Sequence, residues 1–127
     1  MSEQNYPRNR QHLHWLRQRF TKELPEPMSA FTQLYQQTMT EGVLGTKVKE
    51  LIALGIAVCT LNEDGVASHV YAAMRAGATR KEILDALGVA LLMGGEPAAT
   101  TTCASFAALE QFEVEIAEEL AAQRIEE

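Results

Sequence analysis

The sequence predicts an all-α fold, a compact bundle of about six helices. Alanine dominates an apolar content of 46% over 127 residues. Alanine is the strongest helix former, and β-branched residues are comparatively sparse. Apolar residues also recur at helical spacing in several separate segments. Proline and glycine punctuate those segments at Pro25 and Pro27, Gly42 and Gly45, Gly77, and Gly94-Gly95. At this length one domain with a modest core is expected, spanning 1–127.

The first helix is expected over about Arg8 to Phe20, with Leu13, Leu16 and Phe20 as its stripe. Leu24-Pro25-Glu26-Pro27 breaks it, because proline cannot continue a helix and biases the preceding residue to an extended backbone. A second helix starts near Pro27 to Ser29 and reaches Glu41. Its apolar face is Met28, Phe31, Leu34, Tyr35 and Met39. Residues 1–41 thus form a helical arm, accessory to the rest and suited to covering a subunit contact.

Thr46 is a candidate N-cap for a third helix to about Leu61. From Leu51 to Cys59 every residue is apolar or glycine. A helix apolar all round is buried on every side, at the centre of a bundle or at a subunit interface. Asn62, Glu63 and Asp64 open a fourth helix, which Gly77 closes. Thr79-Arg80-Lys81-Glu82 is a capping box for a fifth, Arg80 to about Met93. Ile83, Leu84, Ala86, Leu87, Ala90 and Leu91 set its face. Pro97 suits the start of a sixth, Ala98 to about Arg124. Phe106, Leu109, Phe112, Ile116 and Leu120 are its expected stripe, with a solvated acidic face beyond.

A net charge of −6 argues against nucleic acid, which demands a clustered basic face. Arg8, Arg10, Arg17, Arg19 and Lys22, with His12 and His14, are the one basic cluster, expected to be a solvated helix face. The start MSEQNYPRNRQ is polar, and no run of about 18 apolar residues occurs. A cytoplasmic location without membrane contact is the expectation, and there two cysteines are expected as free thiols. No His-x-x-x-His or Glu-x-x-His pattern is present, so neither metal nor cofactor is expected.

Chemistry concentrates on Glu50 and His69. Glu50 heads the apolar third helix, where lost hydration would raise its pKa. Nineteen residues later His69 lies on the fourth helix. A short-looped antiparallel pair can bring the two to one level, and a Glu–His hydrogen bond would fix the imidazole tautomer. Asn62, an N-cap by type, Asp64, a first-turn acid, and Gly65 border that place as candidate substrate contacts. Cys59 falls inside the apolar helix, where burial would silence it. Cys103 lies more than a turn inside the sixth.

The stretch AGATRKEILDALGVALLMGG, Ala76 to Gly95, resembles the carboxymuconolactone decarboxylase family, which includes the alkylhydroperoxidase D-like thiol peroxidases. The resemblance covers about Leu44 to Phe112. Glu50 and His69 fall at the family's spacing. The peroxidase branch also carries a Cys-x-x-Cys, and its two positions are here Asn62 and Gly65. The resemblance implies an alkylhydroperoxidase D-like helical fold assembled as a homo-oligomer, a trimer or hexamer. It also implies a cofactor-free acid/base lyase of the decarboxylase type, acting on a small lactone or keto acid through Glu50 and His69. Two alternatives stand beside it. A thiol peroxidase or disulfide reductase with peroxiredoxin-type activity is disfavoured by the absent cysteine pair. A non-catalytic binding or assembly protein on the same fold is the other.

Overall fold

The structure, a computed structural model, describes residues 3–126. Residues 1, 2 and 127, the ends of the expected domain, lie outside the described residues. Six helices follow in order: α1 Tyr6–Glu23, α2 Pro25–Met39, α3 Thr46–Cys59, α4 Glu63–Arg75, α5 Arg80–Gly94 and α6 Glu96–Glu126. The expected all-α fold is therefore observed.

α3 is the hub. It packs against α4 and α5, and α6 closes across α4 and α5. Leu54, Val58, Val66, Val70, Ile83, Leu109 and Phe112 are sealed from solvent where these four helices meet. On α6 the buried positions are Ala98, Thr101, Ser105, Ala108, Leu109 and Phe112. Leu109 and Phe112 of the expected stripe are buried, and small residues complete the face in place of the others. Phe106 and Leu120 face outward, because alanine and serine let α6 lie close to its neighbours.

The α3–α4 turn sets the site's geometry. Asn62 N–H donates to Ala57 O at 3.0 Å and Leu61 N–H to Val58 O at 3.2 Å. These two bonds make a Schellman end, with Leu61 in the left-handed position at φ 58°. The same pattern ends α4, where Gly77 takes φ 99° and Ala78 N–H reaches Ala73 O. Glycine adopts that backbone without strain; leucine does so at a cost of about 1–2 kcal/mol. α5 opens on the expected capping box, Thr79 and Glu82 each bonding the other's backbone N–H.

α1 and α2 form the outer layer. The break between them is a single residue, Leu24, and Pro25 begins α2 instead of ending α1, since a proline's missing N–H is harmless in a first turn. Tyr6 anchors α1. Its N–H donates to Gln111 Oε1 at 2.7 Å on α6, and its hydroxyl donates to Glu63 Oε1 at 2.8 Å on α4. Burial and that bond push the Tyr6 phenol up to about 12. The expected α1 stripe is not the inward face: Leu16 and Phe20 are exposed. α2 buries no residue fully, leaving Phe31 and Leu34 open to solvent. On α3, Ile52 and Ile56 are 48% and 60% exposed. So α3 is half core and half surface, and the expectation of burial on every side fails within one chain.

Candidate functional site

Glu50 lies deeper in α3 than its position near a helix start suggests. α3 begins at Thr46, capped by Gly45 instead of Thr46 itself, and no acid occupies its first turn. Thr46 spends its hydroxyl on Met39 O at 2.6 Å. Glu50 is thus a second-turn residue, where dipole stabilisation has largely decayed. It is only 2% exposed. A carboxylate so placed demands hydrogen bonds in compensation.

Two side chains supply them. His69 Nδ1 lies 2.8 Å from Glu50 Oε2, and the Tyr35 hydroxyl donates to Glu50 Oε1 at 2.5 Å. Burial pushes the Glu50 carboxyl up, but the hydrogen bonds from His69 and Tyr35 outweigh it and hold the group below its ordinary 4.5. This reverses the expectation that burial would win. Tyr35 moves the other way. Burial, followed by donation to Glu50, pushes its phenol well above 10. At neutral pH, then, Glu50 is a carboxylate and Tyr35 a phenol.

The tautomer follows. An ionised carboxylate only accepts, so His69 Nδ1 must carry the proton. In the neutral ring Nε2 is left with its lone pair. The His69 side chain keeps 23% of its surface, against 3% for Glu50. A buried acid therefore orients a partly exposed base, an arrangement suited to moving one proton.

Tyr35 extends the site toward α1. It lines a cleft of about 310 Å³ together with Arg10, Leu13, His14 and Arg17 of α1 and Ser68, Tyr71 and Ala72 of α4. A larger cleft of about 470 Å³ lies between the N-terminal residues and α6, lined by Glu3, Glu115 and Glu118 among others. Neither cleft is lined by Glu50 or His69; the pair is tied to the smaller one through Tyr35.

The bordering candidates have other employment. Asn62 Oδ1 accepts from Gly65 N–H at 2.9 Å and caps α4. A Cβ on Gly65 would come within 2.4 Å of Asn62 Nδ2, so the two positions interlock. Asp64 lines a separate, smaller cleft with Asn9, His12, Leu13 and Leu16. None of the three lines the Tyr35 cleft. Cys59 is exposed within the chain, its thiol facing Ala90 O at 3.5 Å, so burial does not silence it as expected. Cys103 is exposed as well. Among the described residues no cluster of three His, Cys, Asp or Glu side chains could hold a metal. No helix there is long and apolar enough to cross a membrane.

Fold and site together define a small all-α protein in which a buried glutamate holds a partly exposed histidine. The carboxymuconolactone decarboxylase family profile matches residues 25–111, and the chain belongs to that family. The fold is similar to that of a carboxymuconolactone decarboxylase family protein from Legionella pneumophila. That pair is 33% identical with a TM-score of 0.80, covering 84% of this chain and 96% of the other. A Thermotoga maritima member of the family is 25% identical with a TM-score of 0.68, over 72% of this chain and 95% of that one. An uncharacterised protein of Cupriavidus necator is 39% identical over 75 residues, 59% of this chain. The chain spans 66% of that relative's length, just under two thirds.

Proposed function

We propose that the chain is a cofactor-free acid/base enzyme of the decarboxylase type, acting on a small lactone or keto acid. The observation that carries this reading is the buried Glu50 carboxylate, 2.8 Å from His69 Nδ1. In the decarboxylating direction the substrate carboxylate leaves as CO2. Its bonding pair passes to the adjacent carbon and delocalises into the neighbouring carbonyl as an enolate. Protonated His69 gives its Nε2 proton to that carbon, and water restores it. Glu50 stabilises the imidazolium and holds the ring; Tyr35 holds Glu50. Such a positioned proton donor is worth about 10²–10⁴ in rate.

A homo-oligomer, trimer or hexamer, is part of the proposal, supported by the exposed apolar face of α3. A cytoplasmic setting accords with small-molecule chemistry that needs no membrane.

The test follows carbon protonation in D2O by NMR over a panel of small γ-lactones and β-keto acids. Wild type is expected to incorporate deuterium at the carbon next to the carbonyl on at least one of them. His69→Asn is expected to lose about a hundredfold or more of that rate. Incorporation that is unchanged in His69→Asn overturns the assignment.

A further inference from the structure

The side of α1 that borders the Tyr35 cleft is mostly basic, where a helix beside a cavity is ordinarily apolar. Arg10, Leu13, His14 and Arg17 follow one another at helical spacing, and all four line the Tyr35 cleft. Only Leu13 among them is apolar. In a chain of net charge −6, two guanidinium groups converge on one small cavity.

Neither guanidinium is neutralised. The ion pairs among the described residues are Lys47–Glu82, His69–Glu50, Arg75–Glu119 and Arg80–Glu113. Arg10 stacks over the Tyr71 ring at 3.7 Å from its centroid. Its Nε is buried and has no hydrogen-bond partner. Stacking occupies the face of a guanidinium and leaves its terminal in-plane N–H donors for a carboxylate or phosphate. Arg17 lies close enough to Tyr35 for its charge to act on the phenol. The cavity is at the small end of ligand pockets and excludes macromolecules.

We propose that Arg10 and Arg17 form an oxyanion subsite, which holds a carboxylate or phosphate group of a small ligand beside Tyr35. This deepens the proposed function and rests on it only for the statement that the ligand is the substrate. The local positive field would draw an anion that the protein's overall charge repels. Both arginines precede the family-matched residues 25–111, so the subsite belongs to the chain's own N-terminal helix.

Titration calorimetry of the full chain in a low-salt amine buffer tests it, with sodium benzoate, inorganic phosphate and neutral benzamide as probes. At least one anion is expected to bind saturably, and benzamide is not. Benzoate alone would mark a carboxylate ligand, and phosphate alone a phosphorylated one. Arg10→Gln and Arg17→Gln are each expected to weaken that anion at least tenfold. Arg17 is exposed, so its variant keeps the core intact should Arg10→Gln fail to fold. His69→Asn is expected to bind the anion like wild type. Anion binding by a wild type that turns over none of the lactones or keto acids upholds the subsite and sinks the decarboxylase reading. No saturable anion binding up to about 10 mM, or affinity unchanged in Arg17→Gln, overturns the subsite whatever the turnover.

Discussion

Tyr35 and His69 bind opposite oxygens of one carboxylate, at 2.5 Å and 2.8 Å from Glu50. They come from α2 and α4, with α3 between them in chain order. Glu50 is therefore one joint between α2 and the hub helix α3, and removing either donor should be felt on the other side.

Tyr35→Phe deletes one of the two bonds and leaves Oε1 buried without its donor. We expect a loss of about 1–3 kcal/mol in denaturant unfolding, the cost of an unsatisfied buried acceptor. The Glu50 carboxyl should also titrate higher than in wild type. An unchanged unfolding midpoint would show that solvent replaces the phenol freely.

The depressed Glu50 carboxyl makes a signed prediction for acid. Its folded pKa lies below the unfolded value near 4.5, so its contribution is fully present above that value. Stability should fall as pH drops below about 4.5 through the folded pKa, since the unfolded chain then binds the extra proton. Urea midpoints from pH 3 to 7 measure this. In Glu50→Gln that part of the slope should vanish; an identical slope would assign acid sensitivity elsewhere.

Val48, Ile52 and Ile56 recur every four residues as an exposed apolar stripe on α3. If subunits meet there, Ile52→Asp should split the assembly. Light scattering should give a trimeric or hexameric mass for wild type and a smaller one for the variant. A monomeric wild type at micromolar concentration defeats the expectation.

Peroxide reduction with dithiol donors should be absent. Cys59 and Cys103 are both exposed, but the positions of the paired cysteines hold Asn62 and Gly65. Without a resolving thiol a sulfenic acid has no partner to discharge it. Robust wild-type turnover, lost in Cys59→Ser or Cys103→Ser, would make the redox reading correct.

Much of this architecture is legible in the chain. Capping signals place α4 and α5 closely, because Asn62 and the Thr79–Glu82 box are local chemistry. The spacing from Glu50 to His69 is equally local, one helix and one turn. Tyr35 is harder to see. It falls at helical spacing among Phe31, Leu34 and Met39, so the pattern assigns it to the apolar stripe, and its hydroxyl is the only hint of a polar partner. α1 misleads for a related reason. Leu13, Leu16 and Phe20 outweigh Arg10 and Arg17 in any hydropathy pattern, but Leu16 and Phe20 stay exposed while both arginines border the cleft. The exposed half of α3 cannot be told from the buried half by composition, since both are built from the same apolar residue types.

The interlock of Asn62 and Gly65 constrains how this lineage can change. A side chain at position 65 collides with the Asn62 amide, so Gly65→Cys alone disturbs the cap that starts α4. Asn62→Cys alone removes that cap, at about 1 kcal/mol, and adds a thiol with no companion. Each single step toward a dithiol costs stability without supplying the chemistry; only the pair does so. The cost of a side chain at position 65 therefore depends on what stands at position 62, so the two positions can change only as a coupled pair if the start of α4 is to stay intact.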